Sequence, residues 1–208
     1  LQRRLYEANE GCRAGRFTSI APRDFLGTEI LGKTFGQIGM GNIAQRIAHI
    51  MNKGFGVKVL GYDPFINAEE AARRGFEKVD SMEDLLERSD MVNINVPLVP
   101  STEHMISREM FDHFKPGAVF VNAARGAVID EDALYDALVS GKLKAAACDT
   151  FVNEPPTGEN KLLSLPNFSA TPHIGGNTYE ALEKAGMEVV TETLRVLNGE
   201  KPIHPVHL

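Results

Sequence analysis

The stretch that decides the fold is Thr34–Ala44, which reads TFGQIGMGNIA. It begins with a short apolar run of the kind that forms a buried strand, and Gly39 and Gly41 follow directly. From Asn42 onward, apolar residues recur at helical spacing, at Ile43, Ile47 and Ile50. The stretch therefore predicts a strand, a glycine turn and a helix in immediate succession.

The spacing of the small residues gives this turn a chemical use. Gly39 allows a tight turn, Gly41 lets the backbone approach a pyrophosphate, and Ala44 keeps the helix close to the strand. The free amides and the positive dipole at the start of the helix attract phosphate. A glycine pattern is weak evidence by itself, so the next strand has to be considered with it.

An acid follows that next strand. Asp63 comes directly after Val57–Tyr62, where a carboxylate can bind the adenosine ribose and repel a 2′-phosphate. This favours NAD over NADP. Arg73 and Arg74 could attract a phosphate, but we expect them on a helix beyond the end of the strand. A methyltransferase would also carry a glycine loop and such an acid. Residues further along the chain are therefore needed to distinguish a dinucleotide-binding protein from a methyltransferase.

Composition narrows the possible partners. The net charge is -6 and the basic residues are scattered, which argues against nucleic acid. No apolar run reaches the roughly 20 residues that cross a bilayer, so we expect no membrane partner. Cys12 and Cys148 lie far apart, which predicts neither a disulfide nor a metal site and favours the cytoplasm. Cys148 follows three alanines, so we expect it to be packed in the core.

Strands and helices alternate along the whole chain. This order predicts the α/β class, with a Rossmann-type doubly wound parallel sheet covered on both faces. The predicted strands are 34–38, 57–62, 91–96, 118–122, 145–148 and 168–170, and the main helices are 1–9, 42–52, 107–113 and 178–198, with two more after Ser81 and Asp130. We divide the chain into an opening helix and connecting loop (1–27), a dinucleotide-binding domain (28–176) and a C-terminal helix with a tail (177–208).

Three polar residues follow strands at the edge where such sheets bind ligands: Arg125, Glu154 and His173. Each alone is more often an ordinary surface residue, but the three beside a dinucleotide site favour a catalytic role. A histidine can exchange a proton near neutral pH, and a carboxylate can fix its tautomer. A guanidinium can bind a substrate carboxylate through two parallel hydrogen bonds.

These segments resemble the D-isomer-specific 2-hydroxyacid dehydrogenases, a family that includes phosphoglycerate dehydrogenase, glyoxylate reductase and D-lactate dehydrogenase. The matching pieces come in the family's order and span most of the chain. They are Gly36–Gly41, Tyr62–Pro64, Asn122–Gly126, Asp149–Pro155 and Thr171–Gly176.

The resemblance implies an enzyme that moves hydride between NAD and a small D-2-hydroxy acid. It implies that Arg125 binds substrate, that His173 is the acid and base, and that Glu154 is the partner of His173. It also implies that Asp149 bonds the nicotinamide carboxamide. The residues expected to contact the cofactor are Gly39, Gly41, Asn42, Ile43, Asp63, Pro64, Val96, Pro97, Thr102, Ala123, Ala124, Arg125, Asp149, His173 and Gly175.

One departure from the family is large. Members carry a substrate-binding domain before the dinucleotide domain, and its chain would precede Leu1, so we expect this chain to be part of a longer protein. The resemblance also implies a homodimer. The specific 2-keto acid stays open, because Arg125 and His173 would treat phosphoglycerate-derived, glyoxylate-like and bulkier acids alike.

A second function belongs to another class. Transcriptional corepressors in the same family read the state of the cofactor, so an NAD-responsive binding module is the alternative. A methyltransferase ranks last, because it leaves Asp149 and the trio unexplained.

Overall fold

The computed structural model describes residues 1–205, apart from the side chain of Asp24. The chain divides into two compact units, Leu1–Pro172 and His173–Leu208, and the last three residues lie outside the described part. The domain boundary expected after residue 176 stays a prediction.

A seven-stranded parallel sheet forms the centre of the first unit. Its strand order is β3-β2-β1-β4-β5-β6-β7. The strands are β1 (Thr34–Ile38), β2 (Lys58–Tyr62), β3 (Glu77–Lys78), β4 (Met91–Ile94), β5 (Ala118–Asn122), β6 (Leu143–Cys148) and β7 (Phe168–Ala170). The predicted doubly wound α/β fold is confirmed.

Among the described residues, one helix precedes the first strand, five connect strands of the first unit, and a seventh makes up most of the second unit. They are α1 (Leu5–Arg13), α2 (Asn42–Phe55), α3 (Ala68–Arg73), α4 (Met82–Arg88), α5 (Arg108–His113), α6 (Glu131–Val139) and α7 (Tyr179–Leu197), with short 3-10 turns at Arg23–Phe25, Gly126–Val128 and Lys161–Ser164. None of the helices in residues 1–205 combines the length and apolar character needed to cross a membrane.

Side-chain caps fix where several of these helices begin. The side chains of Ser81, Ser107, Asp130 and Thr178 each accept a backbone N–H from the first turn of the following helix. Residues of these types satisfy amides that the helix itself leaves without partners. The four predicted helix starts are therefore confirmed.

The core lies on both faces of the sheet, because alternate residues of each strand point to opposite sides. One face buries Ile38, Leu60 and Phe120 against helices α4 to α6. The other buries Phe35 and Val59 against α2. This two-sided burial explains why the strands are nearly continuous apolar runs.

Five elements differ from the prediction by more than one residue. Helix α2 ends at Phe55 rather than Asn52, and strand β6 begins at Leu143 rather than Ala145. Helix α1 lies four residues further along than expected, and Gly11 within it is buried against Phe17. Strand β4 ends at Ile94 rather than Val96, because β1 turns away at Gly39 and pairing between the strands stops there. Strand β3 was missed, since two polar residues at the sheet edge carry no apolar alternation.

The strand order reverses between β1 and β4. Strands β2 and β3 extend to one side of β1, and β4 to β7 extend to the other. Ligands of open α/β sheets bind in the crevice at the carboxyl ends of the strands at such a point. The glycine turn after β1 lies at this crevice.

Candidate active site

Gly39 and Gly41 form an open cradle at the point where the strand order reverses. Gly39 has a φ of 82°, and a Cβ there would collide with the carbonyl oxygen of Asn95. At Gly41, a Cβ would meet nothing within 4 Å. Gly41 precedes helix α2, and no described side chain caps the amides of that helix. The cradle therefore fits the pyrophosphate of a dinucleotide in both space and electrostatics.

The residues after the cradle divide between core and surface. Ala44 is fully buried in the contact between α2 and the sheet, as its predicted packing role requires. Asn42 and Ile43 are exposed on the first turn of α2, and the side chain of Ile43 keeps 66% of its accessible area. An apolar side chain this exposed beside the cradle is available for contact with a bound cofactor.

Asp63 is bonded to the cradle. Its Oδ2 accepts the backbone N–H of Met40 at 3.0 Å, and its Oδ1 accepts that of Phe65 at 3.0 Å. The carboxylate is thus held between the glycine loop and its own turn, with Pro64 exposed beside it. Its predicted use for the ribose hydroxyls is compatible with this position and stays a prediction.

Three amide side chains lie beneath the cradle, where apolar residues would be expected. Asn93 Nδ2 donates to Gln37 Oε1 at 2.9 Å and to Asn95 Oδ1 at 2.6 Å. Gln37 Nε2 donates to the carbonyl of Ile38 at 2.9 Å. Gln37 is fully buried and Asn93 nearly so. This network ties the ends of β1 and β4 together directly under Gly39.

The segment after β4 is shaped by its own threonine. Thr102 Oγ1 donates to the carbonyl of Pro97 at 2.6 Å and accepts the N–H of Val99 at 2.9 Å. Val96 is half-buried and packs against the larger core cluster, while Pro97 is exposed. The segment predicted to run along the cofactor is therefore an ordered turn.

Arg125 is presented by a loop that Asn122 organises. The fully buried Asn122 donates through Nδ2 to the carbonyl of Arg125 at 2.9 Å and accepts the N–H of Ala124 at 2.9 Å. Ala123 and Arg125 are exposed, whereas Ala124 is buried. Asn122 thus fixes the backbone of the loop, and Arg125, an exposed residue, donates through Nη1 to the carbonyl of Ala124 at 2.7 Å.

The loop that carries Glu154 lies directly against the Arg125 loop. Gly126 is buried, and a Cβ there would overlap the carbonyl group of Phe151 and the amide nitrogen of Val152. Glu154 Oε1 accepts the N–H of Phe151 at 2.9 Å, which folds the acid back onto its own loop. The structure therefore brings these two predicted catalytic segments into contact.

Asp149 lies between the ends of three strands. Its backbone N–H donates to the carbonyl of Asn122 at 2.9 Å, and its Oδ1 accepts the hydroxyl of Thr171. These bonds connect the ends of β5, β6 and β7. Asp149 is thus fixed at the carboxyl edge of the sheet, and its contact with the cofactor stays a prediction.

His173 is the first residue of the second unit and follows β7 after Thr171 and Pro172. It is exposed and has a φ of 55°, in the left-handed region that side chains with a Cβ rarely adopt. Ile174 and Gly175 continue this turn. Its approach to Arg125 and Glu154 stays a prediction.

Residues 1–175 match the family model described as D-isomer specific 2-hydroxyacid dehydrogenase, NAD binding domain. The chain belongs to this family. The D-3-phosphoglycerate dehydrogenase of Methanocaldococcus jannaschii is 47% identical over 176 residues, which are 85% of this chain and 33% of that protein. The hydroxypyruvate reductase of Thermotoga maritima is 43% identical over 197 residues, 94% of this chain and 62% of that protein.

A solved structure agrees with this membership. The holo form of the D-mandelate dehydrogenase of Rhodotorula graminis matches with a TM-score of 0.88 and 32% identity, over 100% of this chain and 61% of that chain. The chain thus spans between about a third and three fifths of the length of these three relatives. The match of a 2-hydroxyacid dehydrogenase NAD-binding domain confirms the resemblance stated from the sequence.

Sequence reasoning missed the side chains that support the loops of this candidate site. Glu131 Oε1 accepts the N–H of Val152 at 2.7 Å, and its Oε2 accepts Asn160 Nδ2 at 3.1 Å, so it braces the Glu154 loop. The amides under the cradle were also missed. A polar residue inside an apolar strand, such as Gln37 or Asn93, was the available signal.

Proposed function

We propose that this protein is an NAD-dependent oxidoreductase that transfers hydride between NAD(H) and a small D-2-hydroxy acid or 2-keto acid. The observation that carries the proposal is the contact of the Arg125 and Glu154 loops through Gly126, at the sheet edge that also holds the cradle. A cation that would bind a carboxylate and an acid that would position the histidine are thereby supported at the same sheet edge as a dinucleotide site.

The cofactor would be held by the cradle and the residues around it. The amides at Gly41, Asn42 and Ile43 would bind the pyrophosphate, and Asp63 would bind the ribose hydroxyls. Asp149 would accept a hydrogen bond from the carboxamide. Bound there, the nicotinamide would donate hydride to the keto carbon or accept it from the hydroxy acid.

Arg125 would bind the substrate carboxylate. Its planar guanidinium offers two parallel N–H donors that match a carboxylate, and this pair would also orient the neighbouring keto group. The buried Asn122 holds the backbone at Arg125, and the residue itself is exposed at the edge of the sheet. This arrangement suits acids whose carboxylate is adjacent to the reacting carbon.

His173 would move the proton. Reduction of a keto group leaves negative charge on its oxygen, and an imidazolium can neutralise it and later take the proton back. Glu154 would be the positioning residue, because a carboxylate on the other ring nitrogen fixes the tautomer and stabilises the charged ring. Both roles follow the family pattern residue by residue.

The direct test is the consumption of NADH with a panel of 2-keto acids, including glyoxylate, pyruvate, hydroxypyruvate and a phosphorylated acid. We expect turnover with at least one of them and a fall in kcat/KM of roughly 100-fold for Arg125→Lys, since an ammonium cannot form the paired bonds. NADH binding without turnover of any acid would instead support the NAD-responsive binding module.

We also propose a homodimer, by analogy with the family, and a cytoplasmic location, from the two unpaired cysteines. Light scattering at micromolar concentration would test the dimer. A mass equal to one chain would contradict it.

A further inference from the structure

An arginine shares the glycine loop with the acid that would select NAD. Arg74 Nη1 donates to the carbonyl of Met40 at 2.9 Å, while the N–H of the same Met40 donates to Asp63 Oδ2 at 3.0 Å. Asp63 therefore binds the N–H of Met40, and Arg74 binds the carbonyl oxygen of the same residue. A cation thus lies on the same loop residue as the acid that would contact the adenosine ribose.

Glu70 forms an ion pair with the Arg74 guanidinium. Its Oε1 accepts Arg74 Nε at 2.6 Å, and its Oε2 pairs with Arg73. The side chains of Glu70 and Arg74 retain 25% and 28% of their accessible area, so both members of the pair are partly buried. Asn67 caps helix α3 and accepts the N–H of Glu70 at 2.9 Å, which fixes the backbone under the acid.

Glu70 is charged at neutral pH. The hydrogen bond from Arg74 holds the pKa of the Glu70 carboxyl below its usual value, and the charge of Arg73 adds to this effect. A dinucleotide with a 2′-phosphate would therefore meet two carboxylates, Asp63 and Glu70. It would also find the Nε and Nη1 donors of Arg74 already engaged.

We propose that Glu70 is a specificity-determining residue that excludes NADP by holding Arg74 to the glycine loop. Asp63 repels the 2′-phosphate directly, and Glu70 keeps the nearest guanidinium from compensating for that repulsion. The inference rests on the NAD-binding role proposed above and adds a second residue to the selection between the two cofactors.

The test is a fluorescence titration with NADH and with NADPH, without substrate. We expect Glu70→Gln to lower the Kd for NADPH about fivefold and to change the Kd for NADH less than twofold. In the double variant Glu70→Gln/Asp63→Ala, the binding free energy of NADPH should improve by more than the sum of the improvements in the two single variants. The two changes are not independent, because both act on the same phosphate. Adding Arg74→Met should abolish the gain.

Glu69→Gln is the matched control. Glu69 is exposed on the same helix, and no ion pair joins it to Arg73 or Arg74 among the described residues. It makes the same change in net charge one position away. We expect it to leave the ratio of the two Kd values within twofold of the original protein.

Equal effects of Glu70→Gln and Glu69→Gln on NADPH binding, with NADH still bound, would overturn the inference and leave the proposed function intact. Failure of the unchanged protein to bind either dinucleotide would overturn both. If Glu70→Gln does not fold, Asp63→Ala is compared with Asp63→Ala/Arg74→Met. Both variants keep Glu70. If they bind NADPH with equal affinity, Arg74 does not help to bind NADPH while Glu70 is present, which supports the inference. If Asp63→Ala binds NADPH much more tightly than Asp63→Ala/Arg74→Met, the inference is contradicted.

Discussion

Gly126 lies so close to Phe151 that any larger residue would displace one of the two loops that carry the proposed catalytic side chains. An added Cβ would overlap the carbonyl carbon and oxygen of Phe151. Gly126 is buried, and Phe151 is only 4% exposed. A backbone contact therefore positions the Arg125 and Glu154 loops, in addition to the side-chain hydrogen bonds within each loop.

Gly126→Ala should damage both stability and turnover. The added methyl group must push the backbone at Phe151 outward, which we expect to cost about 2–3 kcal/mol in the free energy of unfolding. Because the shift moves Arg125 relative to Glu154, kcat/KM should fall while NADH affinity changes little. Thermal unfolding and steady-state kinetics measure the two effects.

Gly158→Ala is the control for this change, since a Cβ there would meet nothing within 4 Å. We expect it to leave the melting temperature and kcat/KM nearly unchanged. If Gly126→Ala behaved like Gly158→Ala, the backbone contact would have no role in positioning the loops.

The two cysteines should react at very different rates. Cys12 is exposed on α1, whereas Cys148 is 3% exposed, and burial raises the pKa of its thiol well above the usual value. Only a thiolate attacks a disulfide reagent, so the native protein should show one fast thiol and the unfolded protein two. Cys12→Ser should remove the fast thiol. Rapid reaction of both thiols in the native protein would contradict the buried position of Cys148.

Asp90 should make stability depend on pH. Its Oδ2 accepts the N–H of Thr34 at 2.9 Å, and its Oδ1 pairs with Lys115 Nζ at 2.6 Å, which joins the starts of β1 and β4 to the turn before β5. Burial raises the pKa of this carboxyl, but the bonds from Lys115 and Thr34 outweigh burial, so the pKa lies below its usual value.

A lowered carboxyl pKa stabilises the folded state above the pKa of the unfolded chain, and this stabilisation is lost as the pH falls through the folded-state pKa. We therefore expect Asp90→Asn to reduce the free energy of unfolding by about 1–2 kcal/mol at pH 7 and by progressively less below about pH 4. Urea unfolding across pH measures the difference. The exposed Asp80→Asn serves as control, and a loss for Asp90→Asn that is constant down to low pH would contradict the assignment.

The sequence was sufficient where local rules decide the structure. Thr34–Ala44 formed the predicted strand, turn and helix, and the helices expected after Ser81 and Asp130 begin there, with these two side chains as caps. These features depend on residues within one turn or one strand of each other, so hydrophobic period and capping chemistry determine them.

The remaining features depend on which strands become neighbours. Gln37 and Asn93 bond only because β1 and β4 are adjacent, although 56 residues separate them along the chain. The contact between Gly126 and Phe151 requires β5 and β6 to be neighbours in the same way. The pairing of strands that are distant in the chain cannot be predicted from the residue pattern of a single sequence. The role of Arg74 was similarly hidden, since its bond to Met40 crosses from helix α3 to the glycine loop.

The most direct test of the central claim compares His173→Ala with the unchanged protein in two measurements, turnover of the best 2-keto acid and the Kd for NADH. If His173 supplies the proton, kcat should fall by roughly 100-fold or more while the Kd for NADH changes by less than about threefold. Unchanged turnover with intact NADH binding would remove His173 from the chemistry and contradict the account of this protein as a histidine-dependent 2-hydroxyacid dehydrogenase.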